Sequence, residues 1–247
     1  MQDAPSFEPS PYVAEVWRLV EAQHRVSTLK LVDNLDEQAL LEAMIEKTKP
    51  ALPPECAGLD YLLAAPFRYG SIYPQGSRFR RAGRTEGVFY ASEHVETAVA
   101  EMAFYRLLFY AESPDTPFPD AAADFSAFSV RVKTQAALDL TRPAESDPAL
   151  RDPVDYPQTQ ALAEMCRKKG IEIIRCRSVR DPKQRANAAV LTAKAFAGKK
   201  PRQWRTWRLK VGSNGVSALC DFPVSSLSFD RDAFVSDPGL ADFRWER

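Results

Sequence analysis

From Thr97 to Ala111 the chain reads TAVAEMAFYRLLFYA, and its only charges are Glu101 and Arg106. Written as a helix, this stretch is apolar nearly all round and is expected to be largely buried. Ala98, Phe104 and Tyr105 stand at i−3, i+3 and i+4 from Glu101, so its own stripe is apolar too. Arg106 is five residues on, roughly 140° round the helix, and is a poor partner within it. A carboxylate taken out of water needs a partner or a chemical purpose. Two explanations stand open. One is an ion pair with one of the chain's many arginines; the other is a catalytic or ribose-binding Glu in a cleft.

Other familiar constellations are missing. The ten glycines form no G-x-G-x-x-G and no Walker loop. There is no G-x-S-x-G elbow and no H-E-x-x-H. His24 and His94 are the only histidines, and neither has informative neighbours. Cys56, Cys166, Cys176 and Cys220 include no C-x-x-C pair, so no metal site is expected and each reads as a small core residue.

The elements that must position Glu101 mix helices and strands. Val13, Val16, Trp17 and Val20 fall at helical spacing, which predicts a first helix from about Tyr12. A second helix is expected from Leu35 to Lys49, with Asn34 and Glu37 spaced as a capping box and Pro50 as its stop. Residues 1–60 are therefore expected to form an N-terminal helical extension packed on a main domain of residues 61–247. Gly87 to Ala91 reads as a short strand, with Ser92 as N-cap of the helix that carries Glu101. Phe128, Val130 and Val132 alternate as a half-buried strand. A helix from Gln158 to Lys169 ends at Gly170, and Ile171 to Cys176 reads as a strand. Alternation at 207–211 and 216–220 around Gly212-Ser-Asn-Gly215 predicts a hairpin. The irregular interleaving argues α+β rather than a doubly wound sheet.

The 247 residues suffice for a full core, and 45% apolar with 27% charged residues describes an ordinary globular chain. Lys plus Arg is 33 and Asp plus Glu is 33, which excludes a uniformly basic nucleic-acid binder. The charge is uneven, however. Arg167 to Lys210 holds fifteen Lys or Arg against Glu172 and Asp181, a net +13 balanced by −13 elsewhere. That segment reads as a solvated basic face, an anion site or a dock for an acidic partner. No apolar run approaches the ~20 residues of a membrane helix. The opening MQDAPSFEPSPY has neither the basic nor the apolar part of a signal peptide, so a cytoplasmic location with reduced thiols is expected.

Three stretches taken together resemble a known family. They are Gly76-Ser-Arg-Phe-Arg-Arg-Ala-Gly83, Gly87-Val-Phe-Tyr90-Ala-Ser, and Glu96-Thr-Ala-Val-Ala-Glu101. Tyr156-Pro-Gln-Thr-Gln160 follows, then Gly170-Ile171, then Arg175-Cys-Arg-Ser178-Val-Arg-Asp-Pro and Asn187. Their order resembles the RES domain, named for its Arg, Glu and Ser. Ala64-Ala-Pro-Phe-Arg-Tyr69 is similar to the longer, ParT-like branch of these toxins, which belong to RES–Xre toxin–antitoxin pairs. The resemblance spans about residues 60–230. It implies an ADP-ribosyltransferase-like mixed β-sheet core with peripheral helices. The family Arg matches Arg78, the Tyr matches Tyr90, the Glu matches Glu101, the Ser matches Ser178 and the Asn matches Asn187. The stretch from Arg78 to Tyr90 is two residues longer than in short members, which makes Arg80 a rival for the Arg role.

The resemblance further implies that NAD⁺ is a substrate rather than a bound cofactor, cleaved at its nicotinamide–ribose bond. The residue types suit that chemistry. Glu101 would face a developing oxocarbenium, Tyr90 the nicotinamide ring, and Arg78 or Arg80 the diphosphate. Ser178 and Asn187 would hydrogen-bond the carboxamide or ribose. The acceptor of ADP-ribose (water, phosphate or a protein) stays open. A cognate antitoxin protein is the implied partner, with nucleic acid reached only through it and no membrane involved. A different class also stands: a non-catalytic module that docks nucleic acid or an acidic partner through residues 167–210.

Overall fold

The computed structural model describes residues 8–21, 31–71, 73–83, 85–141 and 148–246. The first seven residues and His24 lie outside these. The fold is α+β, and the described residues form four α-helices on an eight-stranded sheet ordered β1-β2-β5-β4-β3-β6-β7-β8. The strands are β1 (Ser10–Glu21), β2 (Phe89–Ser92), β3 (Ala123–Asp139), β4 (Ile173–Arg177), β5 (Ala186–Val190), β6 (Trp204–Gly212), β7 (Gly215–Cys220) and β8 (Ser225–Phe229). The helices are α1 (Leu35–Thr48), α2 (Tyr61–Arg68), α3 (Val95–Glu112) and α4 (Pro157–Lys168).

The expected helix at Tyr12 is corrected to strand β1. It runs antiparallel to β3 through Tyr12↔Thr134 to Glu21↔Phe125. Val16, Trp17 and Leu19 are all buried, so the strand is covered on both faces and shows no simple alternation. Because β1 also touches β2 at Trp17↔Ser92, the strands β1, β2, β5, β4 and β3 close into a ring. β6, β7 and β8 continue from the first half of β3 as an antiparallel extension.

Three apolar clusters hold the layers together. All five ring strands contribute to one, through Val16, Phe89, Phe128, Ile173 and Val190, and Leu63 and Phe67 of α2 seal it. α3 packs Val99, Ala103, Phe104 and Leu107 against Trp17, Phe125 and Trp207. α4 packs Leu162 and Cys166 against Leu138, Ile174 and Ala189. The approach of α2 to β2 is tight enough to require glycine: a Cβ on Gly87 would lie 2.1 Å from the Pro66 carbonyl oxygen. All four cysteines are buried thiols.

Half of the expected capping box of α1 is present, since Glu37 reaches back past the cap residue Asn34 to Asp33. Asn34 Oδ1 accepts from the Glu37 N–H at 2.9 Å, and the Glu37 carboxylate accepts from the Asp33 N–H at 3.0 Å. No residue of α1 is buried, and Leu35, Leu40 and Met44 face solvent. Helix α4 ends on Gly170 at φ +73, and the 204–220 hairpin turns through Ser213-Asn214, both as the sequence predicts. Ser92 differs from expectation. It is the last residue of β2, and His94 precedes α3 as its cap residue.

Candidate active site

α3 presents Glu101 to the end of the sheet, where the chain leaves β4 and enters β5. Two neutral donors meet its carboxylate. The Ser178 hydroxyl donates to Oε1 at 2.6 Å, and Asn187 Nδ2 donates to the same atom at 2.7 Å. No cation pairs with Glu101 among the described residues, and Oε2 receives no donor from them. The carboxylate is thus fixed in orientation with one oxygen left over. Tyr105, one helical turn on, stays 52% exposed, so α3 is less fully covered than its composition predicts.

Each donor is itself held. Ser178 Oγ accepts the N–H groups of Arg180 and Asp181 at 3.2 and 2.9 Å, which uses its lone pairs and leaves its proton for Glu101. Asn187 Oδ1 accepts from the Ser92 hydroxyl at 2.7 Å, which fixes its amide with the NH₂ toward Glu101. β-register explains this placement. Asn187 stands between Ser92 of β2 and Cys176 of β4, and the two-residue period puts Tyr90 on the same face as Ser92. The thiol of Cys176 lies buried there, pushed up by burial.

The turn after β4 is bound to α3 a second time through Asp181. Its carboxylate accepts from Thr97 Oγ1 at 2.8 Å and from Arg185 Nε at 2.6 Å. Burial pushes this carboxyl up, but the bonds from Arg185, the Lys183 N–H and Thr97 outweigh it and hold it below its ordinary range. Arg180 points the other way. It is ion-paired with Asp237, donates to the Pro153 carbonyl at 2.6 Å and lies 3.9 Å over the Phe104 ring.

The loop before β2 brings the arginines. Gly76 at φ +70 allows the tight Ser77–Arg80 turn, where a Cβ would strike the Arg80 carbonyl at 2.3 Å. Gln160 of α4 donates to the Gln75 and Ser77 carbonyls from inside. Tyr90 anchors the same loop: its hydroxyl accepts the Phe79 N–H at 3.0 Å and bonds the Ser77 hydroxyl at 2.9 Å. Burial pushes the Tyr90 phenol up, so it is neutral. Phe79 stacks on the Tyr90 ring at 6.5 Å, so one ring face is already engaged.

Arg78 and Arg80 diverge from this turn. Arg78 reaches to the Glu101 side, donating to the Arg177 carbonyl at 3.0 Å and the Leu150 carbonyl at 2.7 Å, with its Nε buried and unpaired. Arg80 folds back on its own loop and donates to the Tyr69 and Thr85 carbonyls. The structure therefore brings Glu101, Ser178, Asn187, Tyr90 and Arg78 together and leaves Arg80 as a loop clamp. Ser77, Gln160, Asp181 and Asp237 carry comparable weight in the geometry and have no site role in the sequence pattern, which offers Ser92 only as a helix cap. All but Asp237 lie inside the stretches that carry the family resemblance.

The charge split has a structural use. Arg175 pairs with Glu93 and Asp139, Arg180 with Asp237, Arg202 with Glu15 and Arg208 with Asp221. Arg185 is within 3.8 Å of Glu96, and Arg205 lies over the Trp17 ring. Five of the segment's eight arginines are thus matched by acidic groups from the rest of the chain.

No curated protein matches this chain. Among solved structures it is similar to the crystal structure of the M. tuberculosis MbcT–MbcA toxin–antitoxin complex. The identity is 12% and the TM-score 0.46, over 82% of this chain and 87% of that one. The family comparison is the informative one. The RES domain matches residues 52–212, a span that holds Arg78, Tyr90, Glu101, Ser178 and Asn187, and the chain belongs to the RES domain family.

Proposed function

We propose that this chain is an NAD⁺-consuming toxin of a toxin–antitoxin pair, cleaving the nicotinamide–ribose bond. One observation carries the reading: a carboxylate in an apolar helix is held by two neutral donors on a single oxygen. That arrangement fixes the carboxylate plane and leaves its other oxygen open to a ligand. When the C1′–N bond of NAD⁺ breaks, its electron pair leaves with neutral nicotinamide and C1′ becomes oxocarbenium-like. Glu101 Oε2 would stabilise that charge or hold a ribose hydroxyl. The oxygen of an incoming water, phosphate or protein group would then bond C1′; a proton it sheds can pass to Glu101 or solvent. Arg78, whose two terminal nitrogens already each donate once to a carbonyl, would offer the diphosphate its remaining terminal N–H groups. Ser178 and Asn187 act chiefly by orienting Glu101, which refines the ligand-contacting roles that the family resemblance implies for them.

The docking-module reading is less well supported, because so many arginines of its basic segment are bonded internally. The test is induced expression in a bacterial host with cellular NAD⁺ followed over time. NAD⁺ should collapse and growth stop, and co-expression of a cognate antitoxin should prevent both. Steady NAD⁺ with soluble protein counts against the proposal. Analysis of the ADP-ribose product, with and without phosphate and lysate, then identifies the acceptor.

The two arginines should separate kinetically. Arg78→Lys is expected to raise the KM for NAD⁺ about tenfold, through loss of a bidentate fork. Arg80→Lys should instead lower the melting temperature with a smaller change in KM, since it removes donors to the Tyr69 and Thr85 carbonyls. The reverse ranking of KM would return the diphosphate role to Arg80.

A further inference from the structure

Helix α1 carries apolar side chains that the fold leaves in water. Its span, Leu35–Thr48, precedes residue 52, where the match to the RES domain begins. No residue of it is buried, and none joins the three apolar clusters. Arg68 of α2 holds its C-terminal end, pairing with Glu46 at 2.7 Å and donating to the Pro50 carbonyl at 2.6 Å. Leu41 and Ile45 are half-buried, whereas Leu40 and Met44 are 63% and 56% exposed. A helix of 14 residues is marginal in water on propensity alone, and packing of an apolar stripe is what ordinarily stabilises one.

The exposed stripe has an internal order. Glu37, Leu40, Met44 and Lys47 stand at i, i+3, i+7 and i+10, the a/d spacing of a coiled-coil seam. By helix geometry they share an arc of about 80°, and the half-buried Gln38 and Ile45 point more than about 100° away from its centre. The stripe has an acid at one end and a base at the other. Among the described residues Lys47 pairs with no carboxylate, and Glu37 accepts only from the Asp33 N–H and the Asn34 amide. A second α1 laid antiparallel about a twofold axis at residue 42 sets Leu40 against Met44 of the other copy and Glu37 against its Lys47, and each contact occurs twice. Glu42, at the axis, projects from the far side of the helix, so the two copies of it do not meet. A parallel pair would instead set Glu37 against Glu37 and Lys47 against Lys47. The stripe is complementary to itself in one orientation only.

We infer that α1 is a self-association element, pairing antiparallel with α1 of a second copy through Leu40, Met44 and two Glu37–Lys47 ion pairs. One helix pair lies at the small end of specific interfaces, so the dimer is reversible, with an expected Kd of about 10 μM. The test is sedimentation equilibrium of the full chain from about 1 to 200 μM, with melting temperatures taken at the lowest concentration. The wild type should pass from monomer to dimer. Leu40→Gln/Met44→Gln keeps good helix formers at exposed positions, so it should stay monomeric with an unchanged melting temperature. Lys47→Glu sets like charges opposite at both ends, and should weaken the dimer about tenfold, with part of the loss recovered at high salt. A wild type that stays monomeric overturns the inference; if it binds a cognate antitoxin that the glutamine variant does not, the stripe belongs to that partner. A dimer that survives the glutamine substitutions uses another surface and overturns it too. A dimer lost by them but indifferent to Lys47→Glu overturns the antiparallel pairing.

Discussion

Replacing Glu101 by Gln is expected to slow NAD⁺ cleavage by about 10²–10³-fold, the scale seen when one charge-stabilising group is lost from an active site. The fold should be untouched. Gln retains an amide oxygen that can accept both the Ser178 hydroxyl and the Asn187 amide at the positions that now serve Oε1. What disappears is the negative charge. Because the charge acts on a developing oxocarbenium, the loss should fall on kcat with little change in KM. Glu101→Ala is a harsher change, since it strands the Ser178 and Asn187 donors, whose protons meet no other acceptor among the described residues. Steady-state cleavage by Glu101→Gln protein, beside its melting curve, makes the comparison. Near-normal kcat in a folded variant would remove Glu101 from the chemistry.

The second large effect is on stability. Arg180 and Asp237 are 6% and 5% exposed and paired with each other. Asp237→Ala would leave a guanidinium buried against the Phe104 ring with only the Pro153 carbonyl to accept from it. Breaking one side of such a pair typically costs about 3–5 kcal/mol. That is a large part of the 5–15 kcal/mol, roughly, that holds a domain folded. The Asp237 carboxylate also caps the following turn by accepting the Gly239 N–H at 2.9 Å. Replacing both partners, as in Arg180→Met/Asp237→Leu, should recover much of the loss, because neither charge then remains in the interior. Urea unfolding of the single and double variants tests this. A single-variant loss under about 1 kcal/mol would show that water reaches Arg180 readily.

Sequence reading located the carboxylate because an acid in an apolar stripe is a local contradiction, visible without any contact map. It also located α1, α4 and the 204–220 hairpin, where caps and turn residues act over a few positions. It misread β1, where Val13, Val16, Trp17 and Val20 happen to fall at helical spacing. The competing signal was there in the β-branched and aromatic run from Tyr12 to Val20. What decides the matter is pairing with β3 more than a hundred residues away, and no local pattern encodes it. Ser92 was misplaced for a related reason. Its hydroxyl is a good cap in isolation, yet the register with β5 gives it to Asn187 instead. Arg78 and Arg80 could not be separated by spacing, since their difference lies in which way each leaves a turn of four residues. Asp237 had no signal at all, because its partner is remote and its surroundings in sequence look like an ordinary acidic loop.

The ring of strands is fastened unevenly. β1 follows β3 from Ser10 to Glu21 but meets β2 at the single pair Trp17 with Ser92. Two side chains of β1 stitch the gap: Arg18 donates to the Tyr90 carbonyl at 3.0 Å and lies 5.1 Å over the Phe89 ring, and Tyr12 donates to Glu93, the residue after β2, at 2.7 Å. A cylinder clasped at one point has a lip. If the clasp parts, β1 stays with β3 and β2 stays with β5, so the wall gapes without either strand leaving its main partner. Local openings follow the line of fewest backbone bonds, and here that line runs along the strand bearing Tyr90 and Ser92. The rigid side of the site is then α3 with the turn at Ser178, and the yielding side is β2. Breathing at the seam would shift the loop of Arg78, which hangs from the Tyr90 hydroxyl, relative to a carboxylate that does not move.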